Sequence, residues 1–204
     1  MIAAIVLAAG QSTRMGEQNK LLLPIGGTTL IARTVDTVLA SQAAQTIVVL
    51  GHQAERVRAA LAGREVTFVH NANFQQGMAT SIHAGIGAVA PGTEGVMICL
   101  SDLPLVESAE LDRLMAEFAS HPHKSIAVPT YQGRRGNPVL FSLRHREEIL
   151  NVRGAVGGCK SVVRKYPQEV LEVAMPSDGI LRDVDTLDDY RAVVEAAPGQ
   201  APAD

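Results

Sequence analysis

Apolar and polar positions alternate along this chain between two periods. Short apolar runs, Ile2 to Ala8, Thr46 to Leu50, Val66 to His70 and Val96 to Leu100, have the length of buried strands. Stretches of helical spacing lie between them. Thr28 or Thr29 can cap a helix whose Leu30, Ile31, Val35, Val38 and Leu39 share one face. After Gly51 a second amphipathic segment turns Val57, Ala60 and Leu61 inward and ends at Gly63. Thr80 to Val89 predicts a glycine-containing helix, and Ser108 caps another to about Ala119. Strands follow at Ile126 to Thr130 and Val139 to Phe141, then a charged helix around Arg144 to Leu150 and a last long strand at Val170 to Met175. A short piece near Leu181 to Val184 leads into a terminal helix from Leu187 to Ala196. This alternation predicts a three-layer α/β fold, Rossmann-like with a mostly parallel sheet, whose ligand sits at the carboxyl ends of the strands.

Length and charge narrow the classes. The 204 residues suit one domain, expected to span 1–197, with "PGQAPAD" closing the chain as a disordered tail over 198–204. A net charge of -3 and scattered cations give no field for drawing in nucleic acid, so none is expected as a partner. Neither of the two cysteines, Cys99 and Cys159, stands in a zinc or disulfide spacing, which fits a reducing cytoplasm. Cys159 has no histidine base near it in sequence and is read as inert; the six histidines form no ligand spacing and are read as structural or surface. The opening apolar run lacks a cationic flank and is too short to span a bilayer, so no secretory leader or membrane anchor is expected there.

The chemistry starts in "LAAGQSTRMGEQNKLLLP", residues 7–24. A glycine loop at the carboxyl end of a buried strand lets backbone N–H groups approach an anion, and Arg14 and Lys20 add a planar fork and a compact ammonium suited to phosphates. The loop is not a Walker A motif, since Glu17 follows Gly16, nor a dinucleotide fingerprint, since Ser12 takes the place of the second glycine. A plain glycine turn with solvated cations is the alternative. Two acids bear on the choice. Asp102 abuts the most apolar strand and precedes Pro104, and Asp185 stands just before the last helix. Two carboxylates from separate strand ends beside a polyphosphate suit Mg²⁺, which takes few protein oxygens together with phosphate and water. Asp185 is also open to a role as helix cap, for which Asp183 or Thr186 could substitute.

Together with "NANFQQGMATSI", "SDLP", "RRGNPVLF" and "DVDTLDDY", this loop resembles the molybdenum cofactor cytidylyltransferase branch of the MobA-like nucleotidyltransferase family over almost the whole chain. "LAAG" and "NK" look more like the members that use cytidine than those that use guanosine. The resemblance implies a sheet of the nucleotide-diphospho-sugar transferase type and a Mg²⁺-dependent transfer of CMP from CTP to molybdenum-loaded molybdopterin, releasing pyrophosphate. By the same resemblance Arg14, Lys20 and Asp102 are catalytic. Leu7, Ala8, Ala9, Gly10, Ser12, Gly77 and Ser81 join them around the nucleotide, Asp102 and Asp185 hold the metal, and Asn137 and Lys160 face the acceptor. Ser81 is open to a second reading as a helix cap, and Asn137 to one as a turn residue before Pro138. The sequence departs from the family at Leu187, where proline is common, and at Ala155, where aspartate is common. The second departure leaves room for another phosphorylated acceptor, such as a sugar or polyol phosphate. A non-catalytic module that hands a finished dinucleotide to an apoenzyme is the reading from another class, and a transient contact with a molybdenum hydroxylase is compatible with either.

Overall fold

The computed structural model describes residues 1–11, 18–152 and 159–196. Its elements in chain order are β1 (Ile2–Ala8), β2 (Pro24–Ile25), β3 (Thr28–Thr29), α1 (Leu30–Leu39), β4 (Gln45–Leu50), α2 (Ala54–Ala60), β5 (Thr67–His70), α3 (Met78–Gly87), β6 (Gly95–Leu100) and α4 (Ser108–Ser120). The second half continues with β7 (Ile126–Tyr131), β8 (Arg134–Arg135), β9 (Val139–Ser142), α5 (Arg146–Asn151), α6 (Lys160–Lys165), β10 (Val170–Ala174) and α7 (Leu187–Ala196).

The main sheet runs β10-β7-β9-β6-β1-β4-β5, with β8 paired to β7. In its middle β1 lies parallel to β4, from Ala3 beside Gln45 to Ala8 beside Leu50, and parallel to β6, from Ile2 beside Gly95 to Leu7 beside Leu100. Its residues are buried from Ala3 to Ala8, so the strand reads as one continuous apolar run. Pleating divides that run between two cores. Ala4, Val6 and Ala8 face the cluster that carries Leu30, Ile31 and Val35 of α1, Leu111 and Leu114 of α4 and Val193 of α7. Ile5 and Leu7 face the other, with Ile82 and Ile86 of α3, Ile149 of α5 and Val162 of α6. Each fully buried aliphatic side chain contributes about 1.5–3 kcal/mol to holding these layers. Helix α3 lies so close to β1 that a Cβ on Gly85 would stand 2.4 Å from Ile5 Cγ2.

Two of the described strands of the main sheet, the short β8 and β9, run against the rest. β9 is antiparallel to both β6 and β7, so β7 and β10 still point the same way as β1. Every parallel strand therefore delivers its following loop to one edge, as the sequence pattern predicts.

Several local expectations change. Leu39 is 37% exposed, because it ends α1 beyond the reach of the sheet. Ala60 is half-buried while Val57 and Leu61 pack inside. Helix α4 is capped by Glu107 and not by Ser108: Glu110 Oε2 accepts the Glu107 N–H at 3.0 Å, forming a capping box one residue earlier. The charged helix begins as a 3-10 turn over Leu143–His145 before α5. The β2–β3 hairpin turns on Gly26 and Gly27, with φ of 55° and 80°, the left-handed pair that a two-residue connection requires.

Candidate active site

Three side chains far apart in sequence meet at the carboxyl edge. Lys20 Nζ lies 2.7 Å from Asp102 Oδ2 and 3.0 Å from Asp185 Oδ1. The lysine side chain is 14% exposed, so this is a largely desolvated triad. Although burial opposes its charge, Asp102 and then Asp185 hold the Lys20 ammonium above its ordinary pKa, and it stays protonated. Partial desolvation, with the negative field of Asp102 and Asp185, pushes the carboxyl of Asp183 up.

Backbone geometry explains the convergence. Ser101, directly after β6, donates its hydroxyl to Leu7 O of β1 at 2.7 Å, fixing where Asp102 emerges. Asp102 O in turn accepts Val184 N–H at 2.9 Å, which brings the next residue, Asp185, alongside. The cap of α7 is Thr186: its hydroxyl accepts Asp189 N–H at 3.2 Å, while Asp189 Oδ2 accepts Thr186 N–H at 2.8 Å. Asp185 is thereby released from the capping role and turned to Lys20. On the other side, Asn19 Oδ1 accepts Leu21 N–H at 3.1 Å and closes the 3-10 turn Lys20–Leu22 that aims the lysine inward.

The triad borders a cavity of about 390 Å³, within the usual range for small-molecule sites. Of the residues expected from sequence, Leu7, Ala9, Gly10, Lys20, Gly77, Ser81, Asp102 and Asp185 line it. Ala8 does not; it is buried in the sheet. Asn137 and Lys160 are likewise outside the lining: Asn137 N–H donates to Ile180 O at 3.1 Å, and Lys160 opens α6. Ser12, Arg14 and Ala155 lie outside the described residues. Ser81 sits inside α3, three residues past its first, so the helix-cap reading falls; Gly77, at φ 109°, holds the cap position. Sequence reasoning missed Gln11, Leu21, Phe74, Gln75, Met78, Leu100 and Ser101, which complete the described walls. Phe74, Gln75 and Met78 lie beside Gly77 in the quoted "NANFQQGMATSI", and their neighbourhood was the signal for them.

Among the described residues two buried polar atoms here have no hydrogen-bond partner, Asp102 Oδ1 and Asn19 Nδ2. Unsatisfied buried groups are uncommon in folded proteins and call for a ligand or a reason. An orphaned carboxylate oxygen beside a second carboxylate is a donor set that fits a hard divalent cation. Among the described residues no group of three or more His, Cys, Asp or Glu is arranged to hold a metal, so such an ion would take further ligands from a bound phosphate and water. Burial pushes the thiols of Cys99 and Cys159 up to about 12, which leaves both unreactive at neutral pH. No helix among the described residues is long and apolar enough to cross a membrane.

Known proteins share this arrangement of chain. A model of the MobA-like NTP transferase domain matches residues 4–170. Nicotine blue oxidoreductase of Paenarthrobacter nicotinovorans is 27% identical over 192 residues, 92% of this chain and 93% of its own. Bifunctional protein GlmU of Syntrophotalea carbinolica is 32% identical over 154 residues, 74% of this chain; the chain spans 32% of that longer protein. Among solved structures, a nucleotidyl transferase from Methanothermobacter superposes with a TM-score of 0.83 at 25% identity, covering 96% of this chain and 97% of that one. Rv0371c of Mycobacterium tuberculosis H37Rv, solved in complex with manganese, gives 0.77 at 32% identity, over 96% and 99%.

Proposed function

Because the chain belongs to the MobA-like NTP transferase family, we propose that it transfers CMP from CTP to the terminal phosphate of molybdenum-loaded molybdopterin, releasing pyrophosphate. The observation that carries this reading is the Lys20, Asp102 and Asp185 triad lining a nucleotide-sized cavity, with Asp102 Oδ1 lacking a partner among the described residues.

The residues divide the work as follows. The loop after β1 brings Ala9 and Gly10 to the cavity, where backbone and not side chain meets the nucleotide. The amino end of α3, at Gly77 and Met78, adds the positive end of a helix dipole. Lys20, kept charged by its two acids, neutralises the charge that builds on the leaving pyrophosphate, and Arg14 adds a second cation from the same loop. Asp102 and Asp185 would hold Mg²⁺, which supplies Lewis acidity and a template for the phosphate oxygens when bound. The attacking phosphate is already ionised at neutral pH, so no side chain need act as general base; positioning carries the step. Asn137 and Lys160 are assigned to the acceptor by family resemblance alone.

Pyrophosphate release decides the reading. With Mg²⁺ and CTP the protein should release pyrophosphate only when molybdenum-loaded molybdopterin is added, and should prefer CTP to GTP, ATP and UTP. The second reading keeps the nucleotidyl transfer and changes the acceptor to a sugar or polyol phosphate. It is favoured by Ala155, which removes an acid the family commonly carries. Turnover with such a phosphate and none with the molybdopterin would select it. Complex formation with a molybdenum hydroxylase that persists in an inactive Asp102→Asn variant would support a handover step after transfer; CTP binding without turnover on any acceptor would leave a non-catalytic module.

A further inference from the structure

The two acids assigned to the metal are both engaged by the same ammonium. Lys20 Nζ stands between them, 2.7 Å from Asp102 Oδ2 and 3.0 Å from Asp185 Oδ1, so one oxygen of each carboxylate accepts a hydrogen bond from it. The side chains are 14%, 19% and 31% exposed for Lys20, Asp102 and Asp185. Among the described residues that line the cavity, Lys20 is the one cation and these are the two acids. The other oxygen of Asp102, Oδ1, is buried and has no partner among the described residues.

A second cation meets a conflict here. A divalent ion bridging the two carboxylates would have to use the region that the ammonium fills. One that took Asp102 Oδ1 alone would lie beside a positive charge in a largely desolvated place, where repulsion is weakly screened. A triphosphate removes the conflict on both counts: its oxygens can take over the ammonium, and its negative charge offsets the second cation. Lys20 suits such an exchange, because its charge sits on a flexible four-carbon stem and its three donors rotate freely.

On the metal and nucleotide reading given above, we infer that Lys20 is a resident counter-ion of the metal site. Without nucleotide it holds Asp102 and Asp185 against free divalent ions, and it passes from the acids to phosphate when the ion arrives with a triphosphate. The pair of acids is thereby selective for a class of ligand, the metal–triphosphate complex, over the ion alone.

Titration of the full chain with Mn²⁺, read by the paramagnetic resonance of the unbound ion, tests this. Without nucleotide, Lys20→Met should bind Mn²⁺ at least about tenfold more tightly than wild type, since the competing charge is gone. The variant leaves two partly buried acids uncompensated, so Mn²⁺ should raise its melting temperature by several degrees while moving that of wild type by about a degree or less. Adding Asp102→Asn to Lys20→Met should remove both gains, which places them at these carboxylates. With CTP present the order should reverse: wild type should take up CTP and Mn²⁺ together about tenfold more tightly than Lys20→Met, which has lost a phosphate contact. If Lys20→Met does not fold, Lys20→Gln, uncharged but still able to donate to one acid, replaces it in every arm. Equal affinity of wild type and variant for free Mn²⁺, a gain that survives Asp102→Asn, or equal uptake of CTP with Mn²⁺ overturns the inference and leaves the metal and nucleotide reading standing. Absence of Mn²⁺ binding to wild type and variant, with and without CTP, overturns both.

Discussion

Two polar clusters occupy opposite ends of the same sheet, and they differ in what is left unpaired. At the carboxyl ends, Lys20 joins Asp102 and Asp185 beside the cavity, with Asp102 Oδ1 and Asn19 Nδ2 lacking partners among the described residues. At the amino ends of β7 and β10, Ser125, His145 and Glu169 form a closed set. Ser125 is fully buried; its hydroxyl donates to Glu169 Oε2 and accepts from His145 Nε2 at 2.7 Å. Arg144 pairs with the same carboxylate, and the His145 ring packs against Tyr166 with centroids 4.6 Å apart. A serine, a histidine and an acid in contact would suggest a nucleophile by composition alone. Access and satisfaction argue otherwise: each group in that set has a partner and the serine meets no solvent, whereas the triad lines a cavity and, among the described residues, Asp102 Oδ1 has no partner. The closed cluster fastens the start of two strands, and the open one is built to receive something.

The difference can be broken most sharply at Asp102. Asp102→Asn removes charge where the metal and phosphates are proposed to sit, and turnover should fall about a thousandfold. Lys20 keeps its contact with Asp185, so the melting temperature should move by no more than a few degrees. Pyrophosphate release and thermal unfolding on the same sample test both halves, and full activity in this variant would remove the site from consideration. Gly51→Ala should have the next effect. A Cβ there would stand 2.7 Å from both Ala9 Cβ and Phe74 Cβ, so two walls of the cavity must move. Overpacking of this kind costs about 1–3 kcal/mol, and CTP binding should weaken about tenfold with it, measured by titration beside a denaturant curve.

How much of this could be read from the chain depends on how local each cause is. The bounds of β1 and α7 follow to the residue from an unbroken apolar run and from a capped helical period. The hairpin of β2 and β3 has two residues in each strand, too few to show any period. Nothing in "VLFS" announces that β9 runs antiparallel, because strand direction is set by its neighbours and leaves the apolar pattern unchanged. At the site, Asp102 and Lys20 were legible because a charge abutting a buried strand and a cation after a glycine loop are local facts. That Lys20 meets Asp185 over 165 residues of sequence and that Gly51 makes room for Phe74 are contacts across the fold. The same holds for Ser125 and Glu169, which meet over 44 residues of sequence.

Ser125→Ala probes the closed cluster from the other direction. It strands the buried His145 Nε2–H, while Glu169 Oε2 keeps Arg144, a loss of about 1–3 kcal/mol. Turnover with CTP should stay within about twofold of wild type, since additivity holds for sites this far apart. A drop in activity without a drop in stability would mean that the two ends of the sheet are coupled, against the contrast drawn here.

The smallest effect is a pH dependence in the closed cluster. Burial, helped by Arg144 and opposed by Glu169 and Glu148, holds the His145 pKa below its ordinary 6.5. The unfolded chain titrates near that ordinary value, so between it and the lower folded value the unfolded state carries more protons. Stability is then complete above about pH 6.5 and falls as the pH drops through the window, by at most about 1.4 kcal/mol per pH unit. The carboxylates nearby act elsewhere: hydrogen bonding from Ser125 lowers Glu169 and hydrogen bonding from Tyr166 lowers Glu148, so their contributions are lost only below the ordinary 4.5. Denaturant midpoints of wild type and of His145→Gln, compared between about pH 5 and pH 7, therefore separate the histidine from the raised Asp183 carboxyl, whose effect on stability has the opposite sign. Wild type should lose stability toward the acid end, and His145→Gln, which cannot titrate, should flatten the curve at the expense of a lower plateau. A slope that survives the substitution would place the titrating group outside this cluster and end the claim that its histidine is kept neutral by burial.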